Sequence, residues 1–199
     1  MDWQRQSLEL DGGILTYYVQ GAGDPVIFIS GGPGDSHYYL RDAARLWVEE
    51  HRCILYDQRG TGNSFTPDSS RVTVDQLLRD LDQLQRHLGY SSIRIVGHSW
   101  GATLGLLYAL YYPEAVSHLA LVGLGPIREQ NARVAAANLR RPLTGSESQH
   151  FDMVARQRKE AVISGDFETA WNCQMTLMGW FVRSWFYDQV CGQKFLRDL

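Results

Sequence analysis

Ile93-Arg94-Ile95-Val96-Gly97-His98-Ser99-Trp100-Gly101-Ala102 is the stretch that decides the fold. A β-prone run, Ile93 to Val96, enters Gly-x-Ser-x-Gly, and a helix of small and apolar residues, Ala102 to Tyr112, leaves it and stops at Pro113. The spacing has a mechanical reading. A strand that turns at once into a helix strains the backbone at the bend and lifts the Ser99 hydroxyl above the sheet. The positions two before and two after must be small, because the two backbones nearly touch there. Gly97 and Gly101 meet that need, and Gly105 and Ala109 continue a narrow helix face. The helix N-terminus aims amide hydrogens and positive potential at the serine. Ser99 is therefore a candidate nucleophile; the bare pentapeptide is a common accident, and the flanking strand and small-residue helix favour this reading over a plain glycine-rich βα turn.

Working outward, Pro25 to Ile29 is a continuous apolar run, the pattern of a strand buried on both faces of a parallel sheet. Ser30-Gly31-Gly32-Pro33-Gly34 follows it. Glycines here let the backbone approach a reacting carbonyl and present an N–H to a developing oxyanion, with the N–H of Trp100 as the matching donor. In isolation this stretch is a simple turn. It is not G-x-G-x-x-G and lacks a Walker lysine, so phosphate binding is not indicated. A second buried strand, Cys53 to Tyr56, ends at Asp57-Gln58-Arg59-Gly60-Thr61-Gly62-Asn63-Ser64. Asp57 could be an acid with a basic partner; the preferred reading has Asp57 and Arg59 bracing a strand-end loop.

The rest of the first 125 residues fits the same scheme. Ser7 to Leu10 and Ile14 to Val19 flank Asp11-Gly12-Gly13, a hairpin signal. Tyr38 to Glu50 reads as a helix with Leu40, Ala43, Ala44 and Trp47 on one side. Thr73 and Gln76 form a capping box that opens a helix with Leu77, Leu81, Leu84 and Leu88 at helical spacing, stopped by Gly89. Leu119 to Val122 is a fourth strand. Alternating strand and helix predict a mostly parallel sheet with helices on both faces. After Pro126 no buried strand appears. Arg133 to Leu139, Gln149 to Ile163 and Phe167 to Tyr187 read as helices, the last carrying Trp171, Trp180, Phe181, Trp185, Phe186 and Tyr187. Two regions follow, 1–125 and 126–199.

Composition narrows the function classes. The 199 residues are 44% hydrophobic and 21% charged, with net charge -3. That balance gives no electrostatic case for nucleic acid or an anionic membrane. Met1 to Gln6 lack the basic start and apolar run of a signal peptide, and the apolar stretches fall well short of the ~18 residues a spanning helix needs. Cys53, Cys173 and Cys191 are odd in number and lack CxxC spacing, which favours reduced thiols in a cytoplasm over disulfides or zinc.

Together, GGPG at Gly31 to Gly34, DQRGTGNS at Asp57 to Ser64 and GHSWG at Gly97 to Gly101 resemble the α/β-hydrolase superfamily. Within it they are most similar to the prolyl iminopeptidase group of serine peptidases. The resemblance covers roughly Pro25 to Gly125. It implies an α/β-hydrolase core followed by a helical lid, Ser99 as nucleophile, and the N–H groups of Gly32 and Trp100 as oxyanion donors. It also implies release of N-terminal residues from peptides with no cofactor and no metal. Ser30 stands where relatives often have His, a change expected to affect loop support. The acidic residues that hold a substrate's amino group in that group are not identifiable after Pro126. An esterase or lactonase on the same scaffold therefore stays open, as does an inactive fragment.

In this fold the triad runs Ser, then Asp or Glu, then His. After Ser99 the histidines are His118, at a strand start, and His150, in the lid region; Asp152, Asp166, Asp188 and Asp198 follow no buried strand. The expectation is a chain truncated before the last strands, the acid and the base, and nearly inactive alone. Loss of the histidine in another serine enzyme costs about 10⁶ in turnover. The expected truncation also leaves Leu119 to Val122 as an exposed sheet edge open to self-association. A peptide or small molecule is the expected substrate.

Overall fold

The computed structural model describes residues 2–32, 34–125, 130, 133, 134, 137, 143–164 and 166–185. They fall into two compact units divided between Gly125 and Pro126.

The first unit is a six-stranded sheet. β1 (Gln4–Leu10) and β2 (Gly13–Gln20) form an antiparallel hairpin in which Leu10 pairs with Gly13 across Asp11-Gly12. β3 (Asp24–Ile29), β4 (His51–Tyr56), β5 (Ile93–His98) and β6 (Val116–Val122) complete it in the order β1-β2-β4-β3-β5-β6. β2 meets β4 antiparallel, and the remaining pairs are parallel. The sheet is thus mostly parallel, as the alternation of apolar runs predicts.

The apolar runs work because the pleat sends successive residues to opposite faces. Ile27 and Ile29 of β3, with Ile54 and Tyr56 of β4, join one cluster. Val26, Phe28, Cys53 and Leu55 join the other. Two helices cover the first face, α2 (Val74–His87) through Leu77, Leu81 and Leu84, and α3 (Trp100–Tyr111) through Leu104 and Tyr108. A 3-10 turn (His37–Leu40) and the short α1 (Arg41–Arg45) cover the second through Leu40 and Ala44. Burying a side chain of this size contributes about 1.5–3 kcal/mol, so both faces are needed to hold the strands.

Two predicted elements differ in detail. The helix expected over Tyr38 to Glu50 ends at Arg45, although Trp47 of its expected apolar side still meets Phe28 edge-on. Leu46 is 85% exposed, and the chain turns so that the N–H groups of Glu50 and His51 both reach Trp47 O. At the start of α2, Thr73 Oγ1 accepts the Gln76 N–H at 3.2 Å, but the Gln76 side chain turns forward to Asp80 at 2.9 Å. Only half of the capping box forms.

In the second unit, helices Gly145–Ser164 and Phe167–Trp185 pack through Phe151, Val154, Cys173 and Leu177, with Trp180 against that cluster. The first begins four residues before Gln149 because Thr144 and Glu147 cap it reciprocally, at 2.9 and 3.4 Å. Asp166 caps the second by accepting the Thr169 N–H at 3.0 Å, and the Thr169 hydroxyl together with that N–H holds its carboxyl below the ordinary range. Pro33, Pro126, Phe186, Tyr187, Asp188, Cys191, Asp198 and most of Arg133 to Leu139 lie outside the described residues, as do the side chains of Trp171, Phe181 and Trp185. Among the described residues no helix is long and apolar enough to cross a membrane.

Candidate active site

Ser99 stands at the junction of β5 and α3 with φ 53 and ψ -117, and it is the one non-glycine residue at positive φ among those described. The bend is held on both sides. Ser99 donates its N–H to Val122 O of β6 at 2.8 Å, and its carbonyl accepts the N–H groups of Ala102 and Thr103. A non-glycine residue in this region costs of order 1–3 kcal/mol.

The flanking glycines explain themselves by close approach. A Cβ on Gly97 would lie 2.4 Å from Gly101 O, and one on Gly101 would lie 2.1 Å from Ile29 O. Neither neighbour is a side chain that can swing away, so any larger residue must displace α3 from the sheet.

The loop after β3 comes directly to the serine. A Cβ on Gly31 would sit 3.3 Å from Ser99 Cβ. The Gly31 N–H is taken by the Tyr39 hydroxyl at 2.6 Å. Gly32 follows with φ 108, where a Cβ would collide with the amide of Gly34, so only glycine suits this turn. Trp100 is the first residue of α3, so its N–H is among the amides that a helix start leaves without an intrahelical acceptor.

Side chains that sequence reading did not single out tie these parts together. The Tyr39 hydroxyl, besides receiving Gly31, lies 2.8 Å from His98 Nδ1. Burial, foremost, pushes that phenol's pKa up. Gln58 is 2% exposed; its amide donates to Ser30 O at 2.9 Å and accepts the Trp100 indole N–H at 3.0 Å. Ser30 Oγ in turn donates to Asp35 O at 3.0 Å, so Ser30 does support its own loop.

Asp57 and Arg59 each brace structure, with separate partners. Asp57 is fully buried and receives His37 Nδ1 at 2.7 Å, the His37 N–H and the Asn63 N–H. Burial alone would raise its carboxyl pKa. The His37 ring and the two amides outweigh burial and hold it below the ordinary range. Arg41 Nε donates to His37 Nε2 at 3.1 Å, so the ring proton sits on Nδ1, and the ring stacks on Tyr18. Arg59 forms a buried bidentate pair with Asp80 at 2.7 and 2.8 Å.

Among the described residues no imidazole or carboxylate hydrogen-bonds the Ser99 hydroxyl. His118 lies exposed on β6, and His150 meets Trp180 edge-on in the second unit. No group of His, Cys, Asp and Glu there could hold a metal ion.

Residues 24–186 match the alpha/beta hydrolase fold family. The cis-3-alkyl-4-alkyloxetan-2-one decarboxylase of Shewanella oneidensis is 34% identical over 128 residues, 63% of this chain and 40% of that protein. The proline iminopeptidase of Lactobacillus acidophilus is 36% identical over 101 residues, 49% of this chain and 34% of that protein. The chain thus spans 34–40% of the length of these curated relatives. A solved epoxide hydrolase from Vigna radiata is 27% identical with TM-score 0.57, covering 60% of this chain and 38% of that one. With the family matched over most of its length and a six-stranded, mostly parallel sheet beneath the serine bend, the chain belongs to the alpha/beta hydrolase fold family.

Proposed function

We propose that Ser99 is the nucleophile of a serine hydrolase whose oxyanion donors are the N–H groups of Gly32 and Trp100. The observation that carries this reading is the backbone of Ser99 itself, φ 53 and ψ -117 between two glycines that admit no Cβ. In the proposed reaction Ser99 Oγ attacks a carbonyl carbon and gives up its proton to a base. The carbonyl oxygen becomes an oxyanion facing the two amides. The proposal assigns the base and its acidic partner to sequence outside the described residues, in the order Ser, acid, His. The second unit takes the role of a helical lid in this reading.

The favoured substrate is a peptide with an N-terminal proline or similar residue, supported by the proline iminopeptidase relative and by the GGPG, DQRGTGNS and GHSWG stretches. A cyclic ester is the second reading, because the Shewanella relative's name denotes an oxetan-2-one. The test has two steps. In the protein together with the segment that supplies the acid and the base, a fluorophosphonate followed by peptide mass mapping is expected to mark Ser99 and to leave Ser99→Ala unmarked; no adduct there would reject the nucleophile. Turnover of a proline arylamide against an aryl ester and a β-lactone then separates peptidase from esterase or lactonase.

A further inference from the structure

Two amides serve one oxygen only if their separation is fixed, with each donor about 2.7–3.1 Å from where the charge develops. Here the donors come from different segments. Gly32 lies on a loop whose glycines at positions 32 and 34 both have positive φ, a backbone with many accessible states. Trp100 lies on a rigid helix start. Something must hold the loop against the helix, and the glycines have no side chains to do it.

Two side chains span that gap. The Tyr39 hydroxyl binds Gly31, next to one donor, and His98, next to Ser99. Gln58 binds Ser30 by its N–H₂ and the Trp100 indole by its carbonyl oxygen. Each therefore has one end on the loop and the other on the bend. Both are themselves anchored. Tyr39 belongs to the 3-10 turn fixed by the pairing of His37 with Asp57. Gln58 is buried in the loop that Asp57 and Ser64 close. With its oxygen accepting the Gly31 N–H, the Tyr39 hydroxyl still has its hydrogen to offer His98 Nδ1, a bond that favours the Nε2–H tautomer of that ring.

We infer that Tyr39 and Gln58 are positioning residues, a pair of straps that set the spacing of the Gly32 and Trp100 amides. This rests on the hydrolase reading of Ser99. Neither side chain needs to touch substrate. Removing one strap lets the loop amide drift, and a displacement near 1 Å costs about 10²-fold in rate.

The experiment uses Tyr39→Phe and Gln58→Met in the protein that includes the segment supplying the acid and the base, with a fluorophosphonate titrated to saturation. The expected result is a maximal rate of Ser99 adduct formation roughly 10- to 100-fold lower in each variant, with the half-saturating reagent concentration unchanged. The ¹⁵N spectrum of the His98 ring is a second readout that a packing role would not move. Tyr39→Phe is expected to shift its tautomer balance. Tyr39 is 44% exposed, so Tyr39→Phe carries the test even if Gln58→Met fails to fold. Wild-type labelling with Tyr39→Phe at the same rate and His98 unchanged overturns the inference and leaves the hydrolase reading standing. Absence of any wild-type adduct removes both, and the wild-type control tells the two failures apart.

Discussion

Asp57 shows how much one side chain organises. Its two oxygens take three donors from residues 20 positions before it and six after. They close the Gly60 to Ser64 loop and fix the turn that carries Tyr39. Because the folded carboxyl sits below its ordinary pKa, its contribution is fully present above about pH 4 and fades as pH falls through the folded value. Asp57→Asn is therefore expected to lose about 2 kcal/mol at pH 7. Urea unfolding at stepped pH should show the gap to wild type closing only in strong acid. A gap independent of pH would contradict the assignment. Cys53 makes the opposite case: burial pushes its thiol up to about 11, so it is an inert packing residue at neutral pH.

At the scale of elements, the Arg59–Asp80 pair ties the loop after β4 to α2, with both side chains 1% exposed. Breaking a buried pair strands a charge. Asp80→Leu alone is expected to cost about 3–5 kcal/mol, and Arg59→Met with Asp80→Leu is expected to recover much of that. Thermal or urea melting of the two singles and the double measures it. The strands and the longer helices of the first unit were legible from sequence because periodicity reports which face a residue takes. The T-x-x-E signal at Thr144 marks a start that apolar periodicity alone sets later, at Gln149. The straps were not legible. Tyr39 to His98 and Gln58 to Trp100 join residues 59 and 42 positions apart, and no local pattern encodes such a meeting. At the candidate site, Ser99 and its glycines follow from one short stretch, while the residues that hold them come from three others.

For the whole molecule, the strand order leaves β6 at one end of the sheet, paired among the described residues with β5 alone. Val122 is 52% exposed and Leu121 36%. A row of unpaired backbone groups with apolar side chains invites another strand. We expect concentration-dependent association of the chain in sedimentation velocity, reduced by Leu121→Lys. Wild-type monomer at every concentration would argue against that edge as a contact. Opposite β6, the other end of the sheet is the β1 strand, whose polar sequence is a poor template by comparison.

The bend at Ser99 has one more consequence. Its φ 53 and ψ -117 are the angles of the first central residue of a type II′ turn, where glycine dominates. Ser99→Gly should accordingly unfold at a higher temperature, by about 1 kcal/mol of added stability, while Ser99→Ala gains no such relief. The amino acid most at ease in this spot has nothing with which to react. On the proposed reading of Ser99 as nucleophile, durability and reactivity compete for a single position in the chain.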